Sequence, residues 1–251
     1  MEERLTNFKT ERHFFVFVGL SQAYIDCFKK RHSVILGITR SGKTFFAARI
    51  LQELQDSGVH TIFVDPKHDK GYSHLGTICY SPDEVLYQLL HKNKAIIYRP
   101  PASKEEKVAG LDRISDYLIN FSKKDGYRRI RRVIAIDELQ LFVKKGESKA
   151  IEAIWTIGAG IGIVGMALTQ RIQLLNETAW SQSDNKVIFR VEDRADYLRS
   201  RNLDHYVDKL DFFQDSINQF YYYSTTGGGN WKVCEPIPPT RRKGNLNLQP
   251  Y

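Results

Sequence analysis

Short apolar runs punctuate the chain: FFVFV at 14–18, SVILG at 33–37, HTIFVD at 60–65, KAIIYR at 94–99, RVIAID at 132–137, GIVGMALT at 162–169 and KVIFRV at 186–191. Each is rich in β-branched or aromatic residues and none alternates with polar ones, which predicts strands covered on both faces. Between them, residues 43–57, 81–93, 103–124 and 147–158 carry apolar side chains at helical spacing. Two of these stretches open with a serine followed three residues later by a glutamate, Ser81 with Glu84 and Ser103 with Glu106, the spacing of a capping box. Strands alternating with helices imply a mostly parallel, doubly wound α/β sheet with helices on both sides. Residues 219–237 break the pattern, with two aromatic or β-branched arms around three consecutive glycines, and predict a C-terminal β-hairpin.

Composition narrows this picture without changing it. Of 251 residues, 42% are hydrophobic and 26% charged, enough apolar material for one full α/β core. One domain over residues 1–240 is expected, followed by a polar tail at 241–251. Thirty-seven lysines and arginines against 29 acids leave a formal charge of +8, so an anionic polymer or surface is a plausible partner. Cys27, Cys79 and Cys234 lie far apart and form neither a zinc nor a disulfide pattern. The opening MEERLTNFKTERH lacks the apolar segment of a signal peptide. The longest apolar run, 154–168, is too short and too rich in glycine for a membrane span, so the chain is expected not to cross a membrane by itself.

Candidate chemistry begins where the second run ends. GITRSGKT, residues 37–44, has the spacing of a P-loop: Gly37, Arg40, Ser41 and Gly42 lend backbone N–H groups to a triphosphate, Lys43 reaches its outer phosphates and Thr44 holds magnesium. An apolar strand before it and an amphipathic helix after it place the phosphates at a helix N-terminus. ATP and Mg²⁺ are the implied ligands. RVIAIDEL then supplies Asp137 at a strand end for the metal shell and Glu138 beside it to polarise an attacking water. Gln170, closing the run at 162–169, emerges on the same edge of a parallel sheet and is a candidate either to sense the γ-phosphate or to orient water. Gly160, Gly162 and Gly165 spell GxGxxG, but they lead into a strand rather than open a helix, so close packing explains them better than a dinucleotide does.

GITRSGKT, IFVDPKHD, VIAIDE and MALTQR, in this order, resemble the FtsK–HerA superfamily of DNA-pumping ATPases, within residues 33 to 191. The compact size is similar to that of the A32-type or PRD1-like genome-packaging ATPases of viruses. That resemblance implies a P-loop NTPase fold of the ASCE, RecA-like division, with Glu138 as base, Gln170 as sensor and Asp137 on the metal. It also implies a homo-oligomeric ring, a hexamer, around double-stranded DNA, located in the virion or host cytoplasm, with capsid or virion membrane proteins as further partners. A neighbour's arginine completes such sites; Arg171 and Arg190 are the candidates here, with Arg99 a third. Loops 65–72 and 143–149 leave the catalytic edge with Lys67, Lys70, Lys144 and Lys145, which are expected to grip DNA phosphates. Three rival readings remain open: a conjugation or chromosome-partition pump, a small-molecule phosphotransferase on the same fold, and a non-catalytic nucleotide-gated scaffold.

Overall fold

The protein is described from a computed structural model, over residues 21–124, 131–143, 148–215, 220–226 and 228–237. The strand expected at 14–18, Lys144, Lys145 and the tail lie outside the described residues. In chain order the elements are α1 (Gln22–Lys30), β1 (Ser33–Leu36), α2 (Lys43–Asp56), β2 (His60–Val64), β3 (Thr77–Cys79), α3 (Pro82–Leu90), β4 (Ala95–Tyr98), α4 (Lys104–Lys123), β5 (Arg132–Ile136), α5 (Lys149–Ile157), β6 (Ile163–Thr169), α6 (Glu177–Ser181), β7 (Asn185–Ile188), α7 (Ala195–Ser200), α8 (Asp204–Val207), α9 (Leu210–Asp215), β8 (Tyr222–Thr225) and β9 (Lys232–Cys234). The strands form one sheet in the order β3-β4-β2-β5-β6-β1-β7-β8-β9. All pairings from β3 to β7 are parallel, and β7-β8-β9 are antiparallel.

The central strands are buried on both faces, and their side chains alternate between two cores. Val34, Leu36, Ile62, Val64, Ile134 and Ile136 pack with Leu111, Ile114, Leu118, Ile154 and Trp155 of α4 and α5. On the other face Ile35, Phe63, Val133 and Ala135 meet Phe28 of α1 and Phe46, Ile50 and Leu54 of α2. The two expected helix caps form, with Ser81 Oγ accepting from the Glu84 N–H and Ser103 Oγ from that of Glu106. Gly165 is forced by packing, since a Cβ there would lie 2.7 Å from the Trp155 ring, whereas one at Gly160 would meet nothing.

Several boundaries differ from the expected ones, for local reasons. β7 ends at Ile188, yet the ladder continues into the phosphate loop: the Phe189 N–H donates to Leu36 O and the Arg190 carbonyl accepts from the Ile38 N–H. The hairpin is shorter than its aromatic arms because Phe220, at φ 55°, departs from strand geometry just before β8. Helix α1 was not among the expected elements; Ser21 caps it, and Tyr24, Ile25 and Phe28 bury one face. Among the described residues no helix is long and apolar enough to cross a membrane.

Because β1, β2, β5 and β6 run parallel, their C-terminal ends open on one edge. There the chain places Gly37, Asp65, Asp137 and Gln170. Strand β6 lies between the strand that feeds Gly37 and the strand that ends at Asp137.

Candidate functional site

The phosphate loop is built almost wholly from backbone. Gly37 donates to Thr169 O at 3.1 Å, and Ser41 donates to Ile38 O at 3.2 Å. Arg40 and Gly42 take left-handed conformations, φ 64° and 96°, turning successive N–H groups inward. Gly42 is the N-cap of α2 and offers no side chain to the first turn, so those N–H groups are left to an anion. The loop cannot swell: a Cβ on Gly37 would lie 2.4 Å from Ser41 Oγ, and one on Gly42 would lie 3.1 Å from the Phe220 ring.

Two strands away stands the carboxylate pair. The Asp137 N–H donates to Val64 O at 3.0 Å, and Glu138 follows in a left-handed conformation, φ 49°, that aims its carboxylate back across the edge. Both side chains are buried. Lys43 Nζ is 3.5 Å from Asp137 Oδ1 and 3.9 Å from Glu138 Oε1. Glu138 Oε1 also accepts from Gln170 Nε2 at 2.6 Å and from Lys67 Nζ, while Oε2 accepts from Gln140 Nε2. Gln140 is in turn fixed by the Thr169 hydroxyl, which donates to its Oε1 at 2.8 Å. Burial pushes the Glu138 carboxyl up, but Lys43, Lys67 and the two amides outweigh it, and it titrates below its ordinary value. For Asp137 burial prevails over Lys43 and Lys67, and its carboxyl is raised.

A third structure supports this pair: the loop after β2. Asp65, fully buried, accepts from Arg99 Nε at 3.0 Å and from the Asp69 N–H at 3.1 Å. Arg99 goes on to bond Asp69 O and Ser73 Oγ at 2.9 and 3.0 Å. The loop thereby becomes a fixed platform carrying Lys67 on one side and Tyr72 on the other.

The expected site residues fall into three groups. Lys43, Asp137, Glu138 and Gln170 converge, with Thr44 one residue beyond Lys43. Lys67, expected to grip DNA, has its ammonium on Glu138 and 3.9 Å from Asp137 Oδ2 while its side chain stays 44% exposed. Lys70 is exposed at the start of the 3-10 turn Lys70–Leu75. Arg171 is exposed at the rim, and Arg190 pairs at 3.7 Å with Glu192 beside its own phosphate loop. Arg99 is fully engaged within its own chain. Gln140, Tyr72 and Phe220 were not singled out from sequence; only Gln140, two residues beyond the Asp-Glu pair, carried a positional signal.

A backbone-built phosphate loop, an acidic pair ending a strand, and an intervening strand that delivers a glutamine define a P-loop NTPase. The chain belongs to the family described as the central domain of the helicase HerA, whose model matches residues 19–219. Among solved structures it is similar to the genome packaging NTPase B204 of Sulfolobus turreted icosahedral virus 2 in complex with ATPγS. That likeness has a TM-score of 0.68 at 17% identity, over 84% of this chain and 99% of the other. VirB4 of Thermoanaerobacter pseudethanolicus follows, with a TM-score of 0.60 and 11% identity over 84% and 90% of the two chains. No curated protein gives a significant sequence match.

Proposed function

We propose that this HerA-type ATPase is a translocase of double-stranded DNA that hydrolyses ATP in a ring oligomer, a hexamer, and packages a viral genome. The observation that carries this reading is the convergence of Lys43, Asp137, Glu138 and Gln170 on the edge where the phosphate loop opens. The residues fit a magnesium–nucleotide pair. Asp137 Oδ1 is buried without a hydrogen-bond partner among the described residues, and with the Thr44 hydroxyl it offers the hard oxygens magnesium takes. Bound there by Thr44 and Asp137, the metal would neutralise charge on the β- and γ-phosphates.

The chain's own groups divide the work. Backbone N–H groups of residues 37–44 hold the phosphates and Lys43 leaves the carboxylates for them. Glu138 takes the proton of the attacking water, and Gln170, already bonded to Glu138, registers whether a γ-phosphate is present. Arg171, exposed at the rim, is the arginine we assign to a neighbour's site, with Arg190, paired to Glu192, as the second candidate. As the site stands, both Glu138 oxygens are occupied, so the base must shed a partner before it can act. Lys67 is the partner with a way out, its side chain being 44% exposed. A DNA phosphate drawn to Lys67 and Lys70 would compete for that ammonium and release Glu138, coupling DNA to hydrolysis.

Phosphate release measured with and without long duplex DNA at two salt concentrations tests the reading. Stimulation that is independent of sequence and lost at high salt is expected. Transfer of phosphate to a small acceptor with no response to DNA would replace the motor with a phosphotransferase.

A further inference from the structure

Tyr72 has no role in the machinery described so far, yet the chain fixes it with care. It lies in the 3-10 turn Lys70–Leu75, which Asp69 caps by accepting the Gly71 N–H at 2.8 Å. Arg99 ties that turn to Asp65 through Asp69 O and Ser73 Oγ, and Gln55 Nε2 of α2 donates to Leu75 O at 2.7 Å. The Tyr72 ring lies against Phe63 of β2, with centroids 4.0 Å apart, and the residue is 0% exposed. Ring and backbone are therefore held from both ends, and the position of the hydroxyl is decided.

That hydroxyl lies beside Thr44 and within reach of the Asp137 charge, the two groups proposed above to hold magnesium. Its contact with the Thr44 side chain falls short of a well-formed hydrogen bond, and among the described residues neither it nor Asp137 Oδ1 has such a partner. A buried hydroxyl without a partner destabilises the fold, and phenylalanine would fill the same space without that cost. Packing thus accounts for the ring but not for its oxygen. A hydroxyl accepts as well as donates, and the waters around a magnesium ion are strong donors that need acceptors beyond the metal's own ligands.

We propose that Tyr72 is a positioning residue of the magnesium–nucleotide site, its hydroxyl taking a hydrogen bond from the water shell of the ion that Thr44 and Asp137 hold. This rests on the ATPase reading above and adds to it a residue from outside the P-loop and the acidic pair. The platform after β2 then has two outputs at one site: Lys67 touches the base and Tyr72 touches the metal shell. Because the same Asp65–Arg99 pair holds both, the loop sets their spacing.

The test is Tyr72→Phe, read by binding rather than turnover. A fluorescent ATP analogue is titrated into the full-length wild type and the variant, once in EDTA and once across a range of Mg²⁺ concentrations. Unliganded melting temperatures are taken alongside. Affinity in EDTA is expected to be the same for both proteins, while the gain in affinity on adding Mg²⁺ falls about three- to tenfold in the variant, the loss of one hydrogen bond. Its unliganded melting temperature is expected to equal or exceed the wild type's. An equal Mg²⁺ gain in both proteins overturns the inference, and so does a lower melting temperature, which would mean that the chain itself holds the hydroxyl. A wild type that binds no nucleotide in either condition overturns the ATPase reading first and this inference with it.

Discussion

The phosphate loop and the loop after β2 make an instructive pair. Both leave buried parallel strands at the same edge, and both serve the same few cubic ångströms of chemistry. Residues 37–44 work through backbone: left-handed turns at Arg40 and Gly42, an uncapped helix start, and glycines where any Cβ would collide. Residues 65–75 work through side chains: Asp65 on Arg99, Arg99 on Ser73, Lys67 on Glu138, Tyr72 against Phe63. A site made of backbone leaves its mark as glycines at fixed spacing. One made of side chains depends on a partner 34 residues away and leaves no local mark.

If this division is right, the two loops should fail differently. The largest effect belongs to Arg99→Leu, which strands the buried Asp65 carboxylate without its counter-charge. Stability by chemical denaturation should fall by about 3 to 5 kcal/mol, and a loss below about 1 kcal/mol would break the contrast. Next comes the strand between the two loops. His32 Nδ1 accepts the Gly165 N–H of β6 at 2.9 Å, so the ring must stay neutral. Burial pulls its pKa from 6.5 to about 4. Between those values the unfolded chain takes up a proton that the folded chain refuses, so stability falls as the pH drops from 6.5 towards 4, by about 3 kcal/mol in all. His32→Asn, whose amide oxygen can take the Nδ1 position, should flatten that part of the pH profile relative to wild type. An unchanged profile would mean that other groups produce the slope.

Smaller effects come from the two loops themselves. Gly42→Ala puts a Cβ on a left-handed residue 3.1 Å from the Phe220 ring, and nucleotide affinity in EDTA should weaken by about 1 to 3 kcal/mol while the fold survives. Equal affinity would show that the cradle tolerates side chains after all. The smallest change is Lys67→Ala. Removing one half-exposed partner from Glu138 should raise basal phosphate release a few-fold, within about 1 kcal/mol, and shrink the stimulation by DNA. A fall in basal release would make Lys67 a contributor to the chemistry rather than a restraint on it.

The same contrast explains what could be read in advance. The central strands and the helices between them are legible because burial on both faces leaves continuous apolar runs and helical faces leave a three-to-four spacing. Gly42, Lys43, Asp137 and Gln170 are legible because a parallel sheet brings strand ends together whatever the rest of the chain does. Helices α6 to α9 escape notice because each is a turn or two long and is held by packing rather than by its own pattern. The Lys67 contact with Glu138 was not legible for a related reason: a lysine in a loop looks free until the strand ends are brought together. Tyr72 gives no warning at all, since its neighbour Thr44 comes from a different strand-helix unit.

The most direct test is Glu138→Gln, measured for ATP binding and for phosphate release in the same preparation. If Glu138 is the base held in this cluster, the variant binds nucleotide within about threefold of wild type while phosphate release falls about 10²- to 10⁴-fold. A variant that still releases phosphate within tenfold of wild type would contradict that role and move the search for the base away from the end of β5.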